Sequence, residues 1–185
     1  MAEDKSSKNF ISNGNIYILG DFDSTISKNV IPELYNIINS LSSAKNPVIE
    51  VFINSRGGYI RELYSLYYML CIAKSKGIAI ITNNMGNAFS AGSLLAVVGD
   101  HRRMFKYATN LMHFGETGAV VETPKQQMRE NKRIKEHFNC VMDIYKNHTK
   151  LDAKKIEEFM NDDLCYLNAK ECLKYGLCDE IVSCI

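Results

Sequence analysis

The stretch Gly86-Asn87-Ala88-Phe89-Ser90-Ala91-Gly92-Ser93 joins an apolar, β-branched run, Ile78-Ala79-Ile80-Ile81-Thr82, to an apolar helical run, Leu94-Leu95-Ala96-Val97-Val98. A serine between a strand and a helix, flanked by small residues, has the layout of a nucleophile elbow. Gly86, Ala88, Ala91 and Gly92 let other backbone come close and let the chain turn sharply. A serine held this way presents its hydroxyl at the head of the helix. The backbone N–H of Ala91 can then point at a developing oxyanion. The same residues also suit a plainer role, with Ser90 as an N-cap and the small residues as tight packing. The pattern is not the G-x-S-x-G of the α/β-hydrolases, so that match does not apply.

Upstream, residues 1–14 are polar, apart from Phe10 and Ile11, and read as a flexible N-terminal arm. Residues 15–185 read as a single domain. Asn15-Ile-Tyr-Ile-Leu-Gly is a first strand. Ser24 to Ser40 is a helix, with Ile26, Val30, Ile31, Leu34, Ile37 and Ile38 recurring at three and four. Val48-Ile-Glu-Val-Phe-Ile-Asn is apolar on both faces, as in a buried parallel strand. It runs into Ser55-Arg56-Gly57-Gly58, which opens a helix from Ile60 to Lys74. The order β-α-β-α-β-α implies a mainly parallel sheet with crossover helices. Ligands of such sheets sit at the carboxyl ends of the strands, where both the Gly57-Gly58 turn and the Ser90 turn fall.

Downstream, a helix from Phe89 to Val98 ends at Gly99, and Asp100-His-Arg-Arg reads as a charged turn. Met104 to Ala108 and Asn110 to Phe114 are short strands, with His113 at the end of the second. Thr123-Pro124 predicts a helix start, Thr at N-cap and Pro at N1. That helix runs over about 123–148. Its first half is charged all round and its second half apolar, so only the second half is ready to bury a face in this subunit. A short helix capped by Asp152, an extended Cys165-Tyr-Leu, a helix from Ala169 to Tyr175 stopped by Gly176, and a strand from Leu177 to Val182 complete the chain.

The formal net charge is +1, so nothing calls for nucleic acid or an anionic membrane as partner. The apolar runs are too short and interrupted to span a bilayer, and the polar N-terminus has no signal-peptide core. The six cysteines form no C-x-x-C pair and lie beside no histidine at metal-ligand spacing. They read as reduced packing residues of a cytoplasmic protein, and neither metal nor cofactor is expected.

Four motifs in order carry a resemblance: Asn54-Ser55-Arg56-Gly57-Gly58, Gly86 to Ser93, Leu111-Met112-His113, and Tyr166-Leu-Asn-Ala-Lys-Glu-Cys-Leu-Lys-Tyr-Gly-Leu-Cys-Asp-Glu-Ile. From about Ile16 to Val182 the chain resembles the proteolytic subunits of the Clp proteases, the ClpP family. The resemblance implies an α/β, crotonase-like (ClpP-type) spiral of β-α units forming a head, with the 123–148 helix as a protruding handle. It implies a serine endopeptidase acting on unfolded polypeptides inside two stacked heptameric rings, a homo-oligomeric tetradecamer fed by an AAA+ unfoldase. Carried onto this chain, Ser90 is the nucleophile and His113 the general base. The N–H groups of Gly58 and Ala91 form the oxyanion hole, and substrate adds as a strand near Gly58.

The chain departs from the family pattern in three places. Arg56 stands where the family commonly has proline. His113 follows Met112 directly and is followed by the bulky Phe114. Ungapped alignment puts Leu164 where the family has its catalytic aspartate. Asp162 and Asp163 lie just upstream, and one irregular residue in the turn would bring Asp163 to His113 as the third member. Otherwise the pair is a dyad or a carbonyl orients the imidazole. Two other functions share these motifs: a catalytically impaired subunit of a mixed ring, and an acyl-CoA enzyme of the crotonase type, which would not need Ser90.

Overall fold

The computed structural model describes residues 8–115, 122–162 and 165–183. Its strands are β1 (Asn9–Ser12), β2 (Asn15–Ile18), β3 (Val48–Ser55), β4 (Ala79–Phe89), β5 (His101–Phe105), β6 (Thr109–Leu111), β7 (Tyr166–Asn168) and β8 (Glu180–Val182). Its helices are α1 (Ile31–Leu41), α2 (Ile60–Ser75), α3 (Ala91–Val97), α4 (Pro124–His148), α5 (Ala153–Asn161) and α6 (Ala169–Tyr175). The strands form one sheet in the order β1-β2-β3-β4-β5-β8, with β6 branching from β4 and carrying β7. All pairings from β2 to β8 along that path are parallel, as is β4 with β6. This is the mainly parallel α/β sheet expected from the alternating pattern and the crotonase-like head that the family resemblance implies, with α4 as its long helix.

The branch at β4 makes the site possible. The first half of β4 pairs with β5, Ile81 to Asn84 against His101 to Met104. Its last residues instead pair with β6, Asn87 to Phe89 against Thr109 to Leu111. A strand from 78 to 82 is what the apolar run predicts, and the observed strand is longer by the asparagine-rich segment before Ser90. Asn83 and Asn84 look like turn residues but are buried with their amides bonded. Asn83 Nδ2 donates to Glu50 (2.9 Å) and Asn84 Nδ2 to the Thr109 carbonyl (3.3 Å). The Asn87 N–H donates to Asn54 Oδ1 (3.0 Å) beside an irregularity in the β3 register. Side-chain amides thus replace the ladder where the two strands diverge.

Three further expectations change. Part of the arm over 1–14 is a strand: β1 pairs antiparallel with β2 through the Asn13-Gly14 turn, and Asn13 and Gly14 both take positive φ. Phe10 stacks on Tyr17 (4.9 Å), which stacks on Phe52 (5.0 Å), so an aromatic ladder crosses β1, β2 and β3. The charged segment 100–103 is mostly strand, not turn. Arg102 donates to Asp179 and to the carbonyls of His148 and Gly176, and Arg103 lies beside Glu50 and Glu180. With these partners, charged residues occupy a parallel strand. The helix expected over 24–40 contains a π-helical turn, Ile26–Val30, before α1. Pro32 has no N–H to give to residue 28, which disfavours ordinary α-register there.

One apolar core lies between the sheet and its helices, from Ile16 and Ile18 on β2 to Cys172 on α6. Helix caps follow the sequence. Thr123 and Gln126 form a reciprocal capping box at the head of α4, Asp152 caps α5, and Gly176 ends α6 in the left-handed conformation. No helix among the described residues is long and apolar enough to cross a membrane.

Candidate active site

Ser90 stands between β4 and α3 at φ 53°, ψ −117°. A non-glycine residue there is strained, at a cost of about 1–3 kcal/mol, and persists only where its surroundings over-determine it. Three contacts do so. The Ser90 N–H donates to the Leu111 carbonyl (3.0 Å), its carbonyl accepts from Leu94 (3.1 Å), and Gly57 packs against its Cβ. A capping serine would have extended backbone and a side-chain oxygen accepting a helix N–H; Ser90 has neither. The plainer role as a cap is therefore not the one observed.

Gly57 and Gly58 are shaped by what they touch. Gly57 has φ +106°, and a Cβ there would lie 2.7 Å from Ser90 Cβ and 2.9 Å from the Phe89 carbonyl oxygen. Gly58 has φ +135°, and its Cβ would meet the Phe22 backbone at 2.6 Å. Only glycine fits either position. The Phe22 N–H donates to the Gly57 carbonyl (2.7 Å), and the Tyr59 N–H donates to the Phe22 carbonyl (2.7 Å). In that parallel bridge the N–H of Gly58 faces away from Phe22. Ala91, the first residue of α3, is buried behind Ser90, and its N–H has no intrahelical partner.

Gly58, Ser90 and His113 line one cavity of about 620 Å³. His113 follows β6 by two residues. The next residue, Phe114, donates its N–H to the Met160 carbonyl (3.1 Å) near the end of α5. Among the described residues no hydrogen bond joins Ser90 to His113, a separation common in sites without substrate. Asp163 and Leu164 lie outside the described residues, so the third expected member has no observed place.

A buried chain ties these pieces to α4. Tyr145 Oη donates to Ser93 Oγ (2.8 Å), which donates to Asn110 Oδ1 (2.7 Å). Ser93 follows Ser90 on α3, Asn110 precedes His113 on β6, and Tyr145 is fully buried, which holds its phenol protonated.

The sequence did not single out the cavity's other histidine. His137 on α4 lines the cavity with Ile134 and Val141, and its Nδ1 lies 2.9 Å from Tyr64 Oη. Burial, and then the Arg133 charge, push the His137 pKa below its ordinary value. Burial, and then Cys140, push Tyr64 above its own. The signal was present in the spacing: Ile134, His137 and Val141 recur at three and four along a helix otherwise charged in that region. Among the described residues no group of three or more His, Cys, Asp or Glu side chains could hold a metal ion.

A strained serine at a strand–helix turn, packed against Gly57 and sharing a cavity with Gly58 and a histidine, is an arrangement suited to serine-peptidase chemistry. The Clp protease family model matches residues 2–184, and the chain belongs to that family. It is 28% identical over 171 residues to an ATP-dependent Clp protease proteolytic subunit of Deinococcus radiodurans, covering 90% of this chain and 79% of that one. It is 25% identical over 183 residues to proteolytic subunit 2 of Treponema denticola, covering 97% and 86%. It is 24% identical over 171 residues to proteolytic subunit 2 of Pseudomonas aeruginosa, covering 90% and 80%. The chain is thus a divergent serine protease of the ClpP type.

Proposed function

We propose that this protein is a serine endopeptidase that hydrolyses peptide bonds of unfolded polypeptides, with Ser90 as nucleophile and His113 as general base. The observation that carries this is the strained Ser90 turn, held against Gly57 and facing the same cavity as Gly58 and His113. Ser90 Oγ attacks the scissile carbonyl carbon while His113 takes the hydroxyl proton. The carbonyl oxygen becomes an oxyanion and accepts from the Gly58 and Ala91 N–H groups. The carbon–nitrogen bond breaks as His113 gives its proton to the departing amine. Water, activated by His113, then hydrolyses the acyl-enzyme and restores Ser90.

Asp163 orients His113 in this proposal. Phe114, adjacent to His113, is bonded to the Met160 carbonyl, three residues before Asp163, which supports the turn reaching the imidazole. Active subunits stack as two heptameric rings around a closed chamber in the cytoplasm and receive substrate from an AAA+ unfoldase. The exposed first half of α4 suits contact between subunits. The five described cysteines carry free thiols, which suits a reducing compartment.

The test is cleavage of a short fluorogenic peptide by the wild type, Ser90→Ala, His113→Ala and Asp163→Asn. The first two should lose about 10³-fold or more, and Asp163→Asn a comparable or somewhat smaller factor. Full activity of Asp163→Asn would leave a Ser90–His113 dyad. Full activity of Ser90→Ala would overturn the mechanism, and a ring-sized wild type inactive even with an unfoldase would favour an impaired subunit.

A further inference from the structure

The cavity beside Ser90 contains a polar pair that the peptidase chemistry does not use. His137 and Tyr64 come from α4 and α2 and meet at 2.9 Å between Nδ1 and Oη. Burial and the nearby Arg133 keep the imidazole neutral, so only one ring nitrogen carries a proton. Tyr64 stays a phenol, with an O–H to give. The acceptors near it are His137 Nδ1 and the Cys140 sulfur, and an imidazole nitrogen is much the stronger acceptor. The phenol therefore donates to Nδ1, and the ring proton sits on Nε2.

That N–H has no protein acceptor among the described residues, and the ring that carries it lines the cavity. The ring is also held in place. Phe114 lies against it at 5.4 Å between centroids, and Tyr64 meets it edge-on at 6.2 Å. Ile60, Leu94, Ile134 and Val141 make much of the remaining wall apolar. Four charged residues also line the cavity, of which three are engaged: Arg133 pairs with Glu130, Glu62 accepts from Ser27 and Glu136 pairs with Lys132, while Arg61 is the fourth. A fixed donor beside apolar wall, half-removed from water, rewards a ligand that supplies an acceptor there.

We infer that His137, held as its Nε2–H tautomer by Tyr64, is a specificity-determining residue that favours substrate side chains with an apolar body and an oxygen acceptor at the tip. Tyrosine and glutamine have that shape; phenylalanine and leucine leave the donor unpaired. Resting on the peptidase function proposed above, the preference falls on the side chain lying in this cavity when the scissile carbonyl is at Ser90. His137 binds and takes no proton from the reacting atoms.

Two measurements test this. Imidazole nitrogen shifts of the unliganded protein report the His137 tautomer without any need for activity; the expected form is Nε2–H, and Nδ1–H overturns the inference. Paired fluorogenic amides, identical except for tyrosine or phenylalanine on the acyl side, report selectivity as a ratio of kcat/KM. The wild type should favour tyrosine by about fivefold, the factor for one neutral hydrogen bond of about 1 kcal/mol. The ratio should fall to about one in His137→Phe, be partly retained in His137→Gln, and be reduced in Tyr64→Phe. A wild-type ratio of one, or a ratio unchanged by His137→Phe, overturns the inference while leaving the peptidase standing. Cleavage of neither peptide overturns both.

Discussion

Helix α3 and the first half of α4 face the same cavity from opposite physical situations. Every residue of α3, from Ala91 to Val97, is buried. On α4 no residue from 124 to 140 is buried; burial begins at Val141 and takes in Met142, Ile144 and Tyr145. Helix α3 is held by packing on all sides, so it can keep Ser90 at a strained φ. The first half of α4 is held by its cap and its own side-chain pairs, such as Arg133 with Glu130 and Lys132 with Glu136. The packed region fixes the backbone that the proposed chemistry needs. The more exposed helix contributes Ile134 and His137 to the cavity wall. The proposed reacting geometry and the proposed selectivity thus rest on parts of the molecule that differ sharply in burial.

That contrast can be broken most severely at Gly58. Gly58→Ala would drive a Cβ into the Phe22 backbone and force an alanine into a glycine-only conformation. A loss of about 4 kcal/mol or more is expected, together with loss of peptidase activity. Gly14→Ala is the control: its φ is also positive, but no atom lies within 4 Å of the added carbon. It should cost only about 1–2 kcal/mol and leave activity near wild type. Denaturant melts of both variants would check the difference, and equal losses would mean that close packing at Gly58 is not what matters.

A middle effect is expected where α3 meets the buried second half of α4. Tyr145→Phe removes the donor to Ser93 and should cost about 1–2 kcal/mol. The melting temperature would then fall by about 2–8 °C. If Tyr145 only fills space, the melting temperature will not move.

The smallest effect belongs to the exposed helix. Thr123→Ala removes a capping-box acceptor and should cost about 0.5–2 kcal/mol, confined to the first turn of α4. Hydrogen exchange should quicken over the first residues of that helix and stay unchanged in α3. Faster exchange in α3 would show that the two regions are not independent.

Much of this arrangement was readable from residue order. The Ser90 turn, the Gly57-Gly58 pair, the start of α4 at Thr123-Pro124 and the stop at Gly176 each depend on local chemistry, and each lies where that chemistry predicts. Features that depend on distant partners were not readable. Asn83 and Asn84 lie in a strand because Glu50 and Thr109 bond their side chains, and those partners are far away in the chain. Arg102 and Arg103 lie in a strand because Asp179 and Glu180 meet them from the other end of the molecule. Asn9–Ser12 forms a strand because β2 offers it an edge. His137 is inconspicuous beside Arg133, Lys135 and Glu136, although its spacing from Ile134 and Val141 marks the cavity side.

The most direct test of the central claim is labelling of the intact protein with a fluorophosphonate, followed by peptide mapping. The account predicts one covalent adduct, on Ser90, abolished in Ser90→Ala and strongly slowed in His113→Ala. An adduct on another residue, or none on Ser90 in a folded wild-type assembly, would contradict it.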